Sequence, residues 1–555
     1  MKTTLHFKIL IYAMLLFISE RTFSQVTLIK DIYLGTLGSE PREMTPMGNN
    51  VLFTANDYVL GRELWISDGT TSGTQLLKDI NPGTTTGNVS LLKKSGSFIY
   101  FSGYTDDTGA ELWRTDGTNT GTILLKDINI GTGDGLYSPF LTDVNGTLFF
   151  MARGDNNNRQ QLWKSDGTEA GTVMVKNLRP NTASATNARY LTATPSGLLF
   201  FSIDDGINGR ELWVSDGTES GTFMVKDLNT QPSTGYTYSP NNLIVLNDIL
   251  YFGGYDDVNG FSLWRSDGTE TGTYIIKSDV QFEDKEADEL NDRAVVFNNK
   301  IYFSGFQSTT ISANGIELFV SDGIESGTFM LKDINPGNSY SSPKNFRVVG
   351  NQLFFTATTY DEGTELWVTD GTEQGTHLVK DILNESNYSP SSPTFLTAVG
   401  NTLYFSATNG ADGRELWKSD GTESGTIQVQ DINPSGSSFA NNFVLLNNSL
   451  IMRVTHPDYG SELWKLDNVL STEKYNNPSK IKIYPNPVSN NLTIKTQFTG
   501  NLQLIVISQL GQQVLKQNQN TSSTSLDVST LSKGLYFLNI NAENGETQTI
   551  KFIKN

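Results

Sequence analysis

The sequence predicts an all-β protein: a large β-propeller of four-stranded units of about 50 residues, followed by a small Ig-like β-sandwich. Three observations predict it. The motif ELWxSDGTxxGTxxxKDI recurs along most of the chain. Its anchors are Trp65, Trp113, Trp163, Trp213, Trp264, Trp367, Trp417 and Trp464, with Phe319 as a ninth. They are spaced 48, 50, 50, 51, 55, 48, 50 and 47 residues apart, the period of a propeller blade rather than of the shorter solenoid repeats. Those eight Trp are all that the 555 residues contain, and a residue type used once per repeat has a repeated packing role. Finally, 51 Gly, 11% aromatic and 18% charged residues suit short strands joined by Gly turns, not a helical bundle or a disordered chain.

Each unit parses into four strands, A to D. In the eighth, strand A is Phe395–Val399, strand B Leu403–Ala407, strand C Arg414–Ser419 and strand D Thr426–Ile432. Short apolar runs rich in aromatic and β-branched residues, bounded by Gly and Asn, read as hairpin strands. Gly400-Asn401 forms the A–B turn here. Asn145-Gly146, Asn247-Asp248, Asn298-Asn299, Gly350-Asn351 and Asn447-Asn448 form it elsewhere, and all are suited to positive φ. The array opens with Val26–Ile32, a lone strand D, and its last unit has strands A to C without a D. The N-terminal strand is therefore expected to complete the last of nine units, closing the ring and covering its edges. Ser278–Arg293, the most acidic stretch, lengthens one interval to 55 residues and reads as a solvated surface loop.

The ends have a different character. Lys2 and Lys8 precede the apolar run Ile9–Ile18, and Thr22 and Ser24 suit the −3 and −1 positions of a cleavage site. Residues 1–24 are thus expected to be a secretory signal, and the apolar run is too short for a membrane span. The propeller is expected over 25–466, a linker over 467–479 and a separate domain over 480–555. The tail carries a net charge of +4 and the signal +2, leaving −25 for the part between within a total of −19. So acidic a chain is a poor nucleic-acid binder.

The tail contains Tyr484-Pro485-Asn486-Pro487, Leu510-Gly511-Gln512, Lys533-Gly534-Leu535-Tyr536 and a final Lys551-Phe552-Ile553-Lys554. In these it closely resembles the C-terminal sorting domain of the Bacteroidetes type IX secretion system. The resemblance implies a small β-sandwich read by the outer-membrane translocon, with Tyr484, Pro485, Asn486, Pro487, Gly534, Lys551 and Lys554 as its signal residues. The central array resembles the ELWxxDGT-repeat proteins of secreted bacterial proteins, some labelled hyalin-like. That resemblance implies a repeat β architecture and secretion, and it brings no catalytic set.

The repeated residues each have a structural reading. One Trp per unit at a fixed strand position reads as core between packed sheets rather than as a sugar platform. Asp68, Asp116, Asp166, Asp216, Asp267, Asp322, Asp370 and Asp420 of the SDGT loops read as turn formers, because one carboxylate per loop is too few for a calcium site. Glu63, Glu111, Glu211, Glu317, Glu365, Glu415 and Glu462 begin strand C. With Ser67 opposite Thr74, Glu63 is expected to face Lys78 as a cross-strand ion pair.

The functional expectation rests on one face. B–C and D–A loops emerge on the same side of a propeller. The B–C loops supply Asp106, Asp107, Asp155, Asp204, Asp205, Asp256, Asp257, Asp361, Glu362, Asp412 and Asp458, and strands D end there with Asp79, Asp127, Asp227, Asp333, Asp381 and Asp431. Asp106, Asp107, Asp204, Asp205, Asp256, Asp257, Asp361 and Asp412 are the candidate ligand or cation rim. No resident cofactor is expected, calcium being the ion such a rim would take. Catalytic residues are not identified. Cys is absent, His377 and His456 are the only His beyond the signal, and neither a GxSxG elbow nor an HExxH helix occurs. The expected role is an exported, non-catalytic protein that binds glycans or proteins at or outside the cell surface, delivered by the type IX translocon. The alternatives are a secreted glycan-degrading hydrolase or lyase with its site on the acidic rim, and a structural adhesin or matrix scaffold.

Overall fold

The computed structural model describes residues 25–83, 85–136, 140–154, 161–179, 188–229, 240–283, 293–307, 309, 314–384, 390–470, 481–496, 501–508, 513–519, 523–542 and 547–555. The segments expected to be the signal and most of the linker, and most of the acidic insertion, lie outside these residues. The chain forms two compact units, Met1–Leu470 and Ser471–Asn555. Among the described residues it is all-β, apart from one 3-10 turn at Glu325–Gly327.

The first unit is a succession of antiparallel sheets, most of them four-stranded meanders of consecutive strands. In the sheet of Trp417, strand A is Thr394–Val399, B Thr402–Thr408, C Arg414–Ser419 and D Ile427–Gln430. The A–B hairpins turn through the expected residues, with Asn247 and Asp248 at φ 52° and 63° and Asn298 and Asn299 at 47° and 59°. The sheet of Phe319 has a fifth strand: Val280–Phe282 and Ala294–Phe297 both pair with Lys300–Gln307. The longest interval between anchors thus contributes an extra strand, where a surface loop was expected.

Each A strand lies beside the A strand of the next sheet, and the first, Arg42–Met47, lies beside the last, Asn441–Leu446. The circuit therefore returns to its start, the arrangement of a β-propeller. Val26–Lys30 pairs with Gly460–Asp467 as the outer strand of the last sheet, Val26 opposite Leu466 and Leu28 opposite Trp464. This is the expected N-terminal closure.

The core lies between consecutive sheets. Leu64, Ile66 and Leu77 of one sheet pack against Ile99, Phe101 and Trp113 of the next. Ile29, Phe53, Trp65, Leu446 and Ile451 form the equivalent cluster where first and last sheets meet. Within a sheet the anchor Trp stacks on a strand-B aromatic, as in Phe201–Trp213, with centroids 6.4 Å apart and planes at 29°. Trp65, Trp113, Trp213, Trp264, Trp367, Trp417 and Trp464 are all buried. Burying each such ring contributes roughly 2–3 kcal/mol, which is why the anchor recurs.

In the second unit, Ile481–Tyr484, Asn491–Thr496 and Ser523–Asp527 form one sheet. Gln513–Gln519, Leu502–Ser508, Gly534–Ala542 and Thr547–Lys554 form the other. Leu492, Ile494 and Leu526 of the first share a core with Leu504, Val506, Leu538, Ile540 and Phe552 of the second.

Candidate binding face

The SDGT loop is built from its own side chains. Ser67 Oγ and Thr74 Oγ1 are hydrogen-bonded at 2.6 Å. Asp68 Oδ1 accepts from the Thr70 N–H at 2.8 Å and the Thr70 hydroxyl at 2.7 Å. The same contacts recur at Asp116, Asp166, Asp216, Asp267, Asp370 and Asp420. The threonine hydroxyl holds the Asp68 carboxyl below its usual range. These aspartates are turn formers, as expected.

The strand-C glutamates do not pair with lysine. A bulge between Leu64 and Trp65 places Leu64, not Glu63, opposite Lys78. Glu63 is fully buried, and its carboxylate accepts from the Ile80 N–H at 2.7 Å and the Gly87 N–H at 2.5 Å. It thereby ties down the D–A crossover to the next sheet and stops strand D at Lys78, short of the KDI end. Glu111, Glu211, Glu317, Glu365 and Glu415 accept from the matching crossovers. Glu462 accepts from Tyr33 N–H at 3.2 Å and Ser39 N–H at 2.8 Å, 429 and 423 residues away in sequence. The lysines instead reach into the next sheet: Lys30, Lys126, Lys176 and Lys380 donate to the carbonyls of Thr74, Thr172, Thr222 and Thr426. A backbone N–H cluster can be satisfied only by an acceptor, so the glutamate turns inward and the lysine outward.

Burial pushes the carboxyls of Glu63, Glu111, Glu317, Glu365 and Glu462 up to about 7, and Glu211 to about 8, against the lowering effect of their donors. A carboxyl raised above its unfolded value stabilises the fold fully below that value and loses the contribution as pH rises through the folded one. Asp68, Asp116, Asp166, Asp216, Asp267 and Asp370 act oppositely, and only as the pH falls below about 4. The melting temperature should therefore fall between about pH 5 and about pH 8. A melting series showing a flat or rising profile would contradict this account of the buried ring.

The rim aspartates occupy the predicted loops. Asp205 Oδ1 accepts from the N–H groups of Ile207 and Asn208, both at 2.8 Å. Asp256 Oδ1 accepts from Val258 N–H at 2.9 Å and from Asn259 N–H. Asp57, outside the predicted set, holds Val59 and Leu60 in the same way. Asp204 accepts from Gly206 N–H at 2.7 Å and lies 3.7 Å from the Arg179 guanidinium. Asp412 Oδ2 accepts from Asn409 Nδ2 at 2.8 Å. Asp106 pairs with Asn81 of a D–A loop at 3.4 Å. Asp107, Asp257 and Asp361 are exposed, and Asp155 lies outside the described residues.

The strand-D aspartates border these loops. Asp227 is pushed up by burial, then by Asp205 and Asp257; Asp79 by burial, then by Asp57; and Asp381 by burial, then by Glu362. Among the described residues, no group of three or more carboxylate or imidazole side chains is placed to hold a metal ion.

Sequence reasoning missed what these turns display. Val59, Ile207 and Val258 each follow the turn-forming aspartate by two residues and are exposed, Val258 by 90%. Tyr58 and Tyr360 on B–C loops, and Leu34, Leu37, Ile130, Tyr340 and Phe439 on D–A loops, are exposed too. The signal was present as Asp-x-apolar in the Gly-rich loops.

In the second unit the two ends of the predicted signal meet. Asn486 Oδ1 accepts from Ile553 N–H at 2.8 Å and Asn486 Nδ2 donates to Lys551 O at 3.3 Å. Val488 and Lys554 form a parallel bridge, and the Tyr484-Pro485 and Asn486-Pro487 bonds are cis. Gly534 pairs with Lys554. Residues 482–555 match the family described as secretion system C-terminal sorting domain.

The chain carries a type IX secretion sorting domain. The sorting domain indicates export by that system, to the cell surface or beyond. No helix among the described residues is long and apolar enough to cross a membrane. No curated protein matches the chain. Solved structures similar to it include PorZ, a surface component of the type IX secretion system of Porphyromonas gingivalis, at 11% identity and TM-score 0.30, covering 92% of this chain and 75% of that one. The β-propeller domain of the Trilobed protease from Pyrococcus furiosus is similar at 14% identity and TM-score 0.33, covering 62% and 97%. Two prolyl endopeptidases are reported together at 12% identity and TM-score 0.36, covering 82% and 54%. These likenesses are too slight to bear on function.

Proposed function

We propose that the exported chain, cleaved after residue 24, presents a closed nine-bladed propeller of the ELWxxDGT type, followed by an Ig-like sorting sandwich. Its role is non-catalytic: it binds glycans or proteins at or outside the cell surface through the B–C and D–A loops. One observation carries this reading. Carboxylates and exposed apolar side chains alternate on that single face, and the same aspartates that acidify it hold the turns displaying Val59, Ile207 and Val258. The face recurs from blade to blade, so several weak contacts can sum to avidity. Exposed apolar groups on a polar rim are the usual make-up of a recognition surface.

The test is a glycan and surface-protein array with the mature chain, run with calcium and again with EDTA. Binding should fall at least about tenfold when Ile207 and Val258 are both replaced by Ser. Loss in EDTA would add calcium to the rim. Binding that survives the double substitution unchanged would place recognition elsewhere.

A further inference from the structure

We propose that the junction of the first and last sheets holds a site for an anionic sugar, with Tyr33 and Tyr58 as its platform and Arg42, Arg62 and Arg453 as its cationic wall around Glu40. The inference rests on the glycan-binding reading and narrows it to one ligand class. Arg42 Nη2 lies 2.5 Å and Arg62 Nη2 3.4 Å from the same Glu40 oxygen. Arg62 Nη1 also donates to the Glu40 carbonyl at 2.9 Å. Arg453 enters from the last sheet, its Nε donating to Ser461 Oγ at 2.6 Å. Glu43, the next acid, is turned away to the Leu92 N–H, and Glu462 is taken up by Tyr33 and Ser39.

Arg42 and Arg62 thus share one carboxylate, and the charge of Arg453 is felt beside them, within a part of the chain whose net charge is strongly negative. Their mutual repulsion is felt: burial and then Arg42 lower the affinity of Arg62 for its proton, while Glu40 raises it. Arg453 responds to both Glu40 and Arg42. An incoming anion would relieve that repulsion, and planar guanidiniums match carboxylate and sulfate oxygens in pairs. Beside them the Tyr33 and Tyr58 rings lie 4.4 Å apart at 45°. Tyr58 is about half exposed and sits at φ 57°, held there by Asn56 Oδ1 accepting from its N–H at 2.8 Å. A non-Gly residue held in the left-handed region is strained, and such strain gathers at ligand sites. A sugar offers an apolar CH face to a tyrosine and an acidic substituent to arginine.

Arg453 sets the site apart from the repeat, whereas Arg42 and Arg62 have counterparts at Arg189 and Arg210 of another sheet. The strand-B position of Arg453 is Thr54, Ser102, Met151, Ser202, Gly253, Ser304, Thr356 and Ser406 in the other sheets.

The mature chain should be titrated by calorimetry at low ionic strength with methyl glucuronide, glucose 6-sulfate, methyl glucoside and inorganic sulfate. Either acidic sugar should bind at least about tenfold tighter than methyl glucoside, and glucose 6-sulfate tighter than inorganic sulfate. The two acidic sugars distinguish a carboxylate from a sulfate ligand. Arg42→Gln and Tyr58→Ala, both at exposed positions, should each weaken that binding at least about fivefold without moving the melting temperature. No detectable acidic-sugar binding, equal affinity for methyl glucoside, or affinities untouched by both substitutions would overturn the site. Array binding of other glycans would then leave the broader role standing.

Discussion

Replacing Glu462 by Ala is expected to destabilise the first unit by about 3–5 kcal/mol, because the part-buried Tyr33 N–H and the buried Ser39 N–H and hydroxyl lose their acceptor. Each unsatisfied buried donor costs about 1–3 kcal/mol. Glu462→Gln keeps one acceptor oxygen and should cost less, about 1–2 kcal/mol. The substitution is specific to the closure. Val26–Lys30 is held to the last sheet by its ladder with Gly460–Asp467 and to the sheet of Trp417 by Val26 N–H donating to Gln430 Oε1 at 3.0 Å, and downstream Glu40 N–H donates to Ser461 O at 2.9 Å. Gly38 passes so close that a Cβ there would lie 2.1 Å from Ser461 N. Hydrogen exchange in Glu462→Ala should therefore speed up across residues 26–40. In Glu365→Ala, which loses the same kind of clamp inside the ring, it should speed up only around Ile382 and Ser391. Equal exchange patterns in the two variants would mean that Glu462 is no more a closure device than its six counterparts.

The second large effect concerns export. Deleting residues 551–555 removes the partners of Asn486 and Val488 and half of the outer strand paired with Gly534–Ala542. Secretion should stop, with the chain accumulating in the periplasm, and fractionation followed by immunoblotting reads this directly. Asn486→Ala removes two hydrogen bonds between the two halves of the signal while sparing the core of Leu504, Leu538 and Phe552. It should cost about 1–2 kcal/mol of sorting-domain stability and reduce export only in part. Full export of the truncated chain would show that the translocon does not read this juncture.

Much of this was legible before any coordinates. The Trp period marked out the sheets, since a ring that must be buried between two sheets is needed once in each. The lone N-terminal D strand and the missing last one pointed to closure, because an unpaired edge needs a partner. The SDGT turns follow from the chemistry of Asp, Gly and Thr over a few residues. These are local or periodic properties, and a linear pattern records them.

The register and its consequences were decided only in three dimensions. Counting residues back from Ser67 and Thr74 placed Glu63 opposite Lys78. The bulge at Leu64/Trp65 displaces that pairing, and a bulge is set by packing of both strands on a neighbouring sheet. Glu63 then serves a crossover and Lys126, at the position of Lys78 in the following sheet, reaches the sheet beyond it, contacts between residues 17 and 46 positions apart. The meeting of Asn486 with Lys551 and Ile553, and of Arg42 and Arg62 with Arg453, also spans stretches that no local pattern relates. The sequence by itself determined the four-stranded repeat and where the chain is sent, because each follows from period, turn chemistry and motif; the extra strand Val280–Phe282 it did not show. The tertiary structure alone decided which carboxylates are buried clamps, which shape the exposed turns and which share the arginines. Burial and the position of a partner set a carboxylate's role, and both depend on residues distant in the chain.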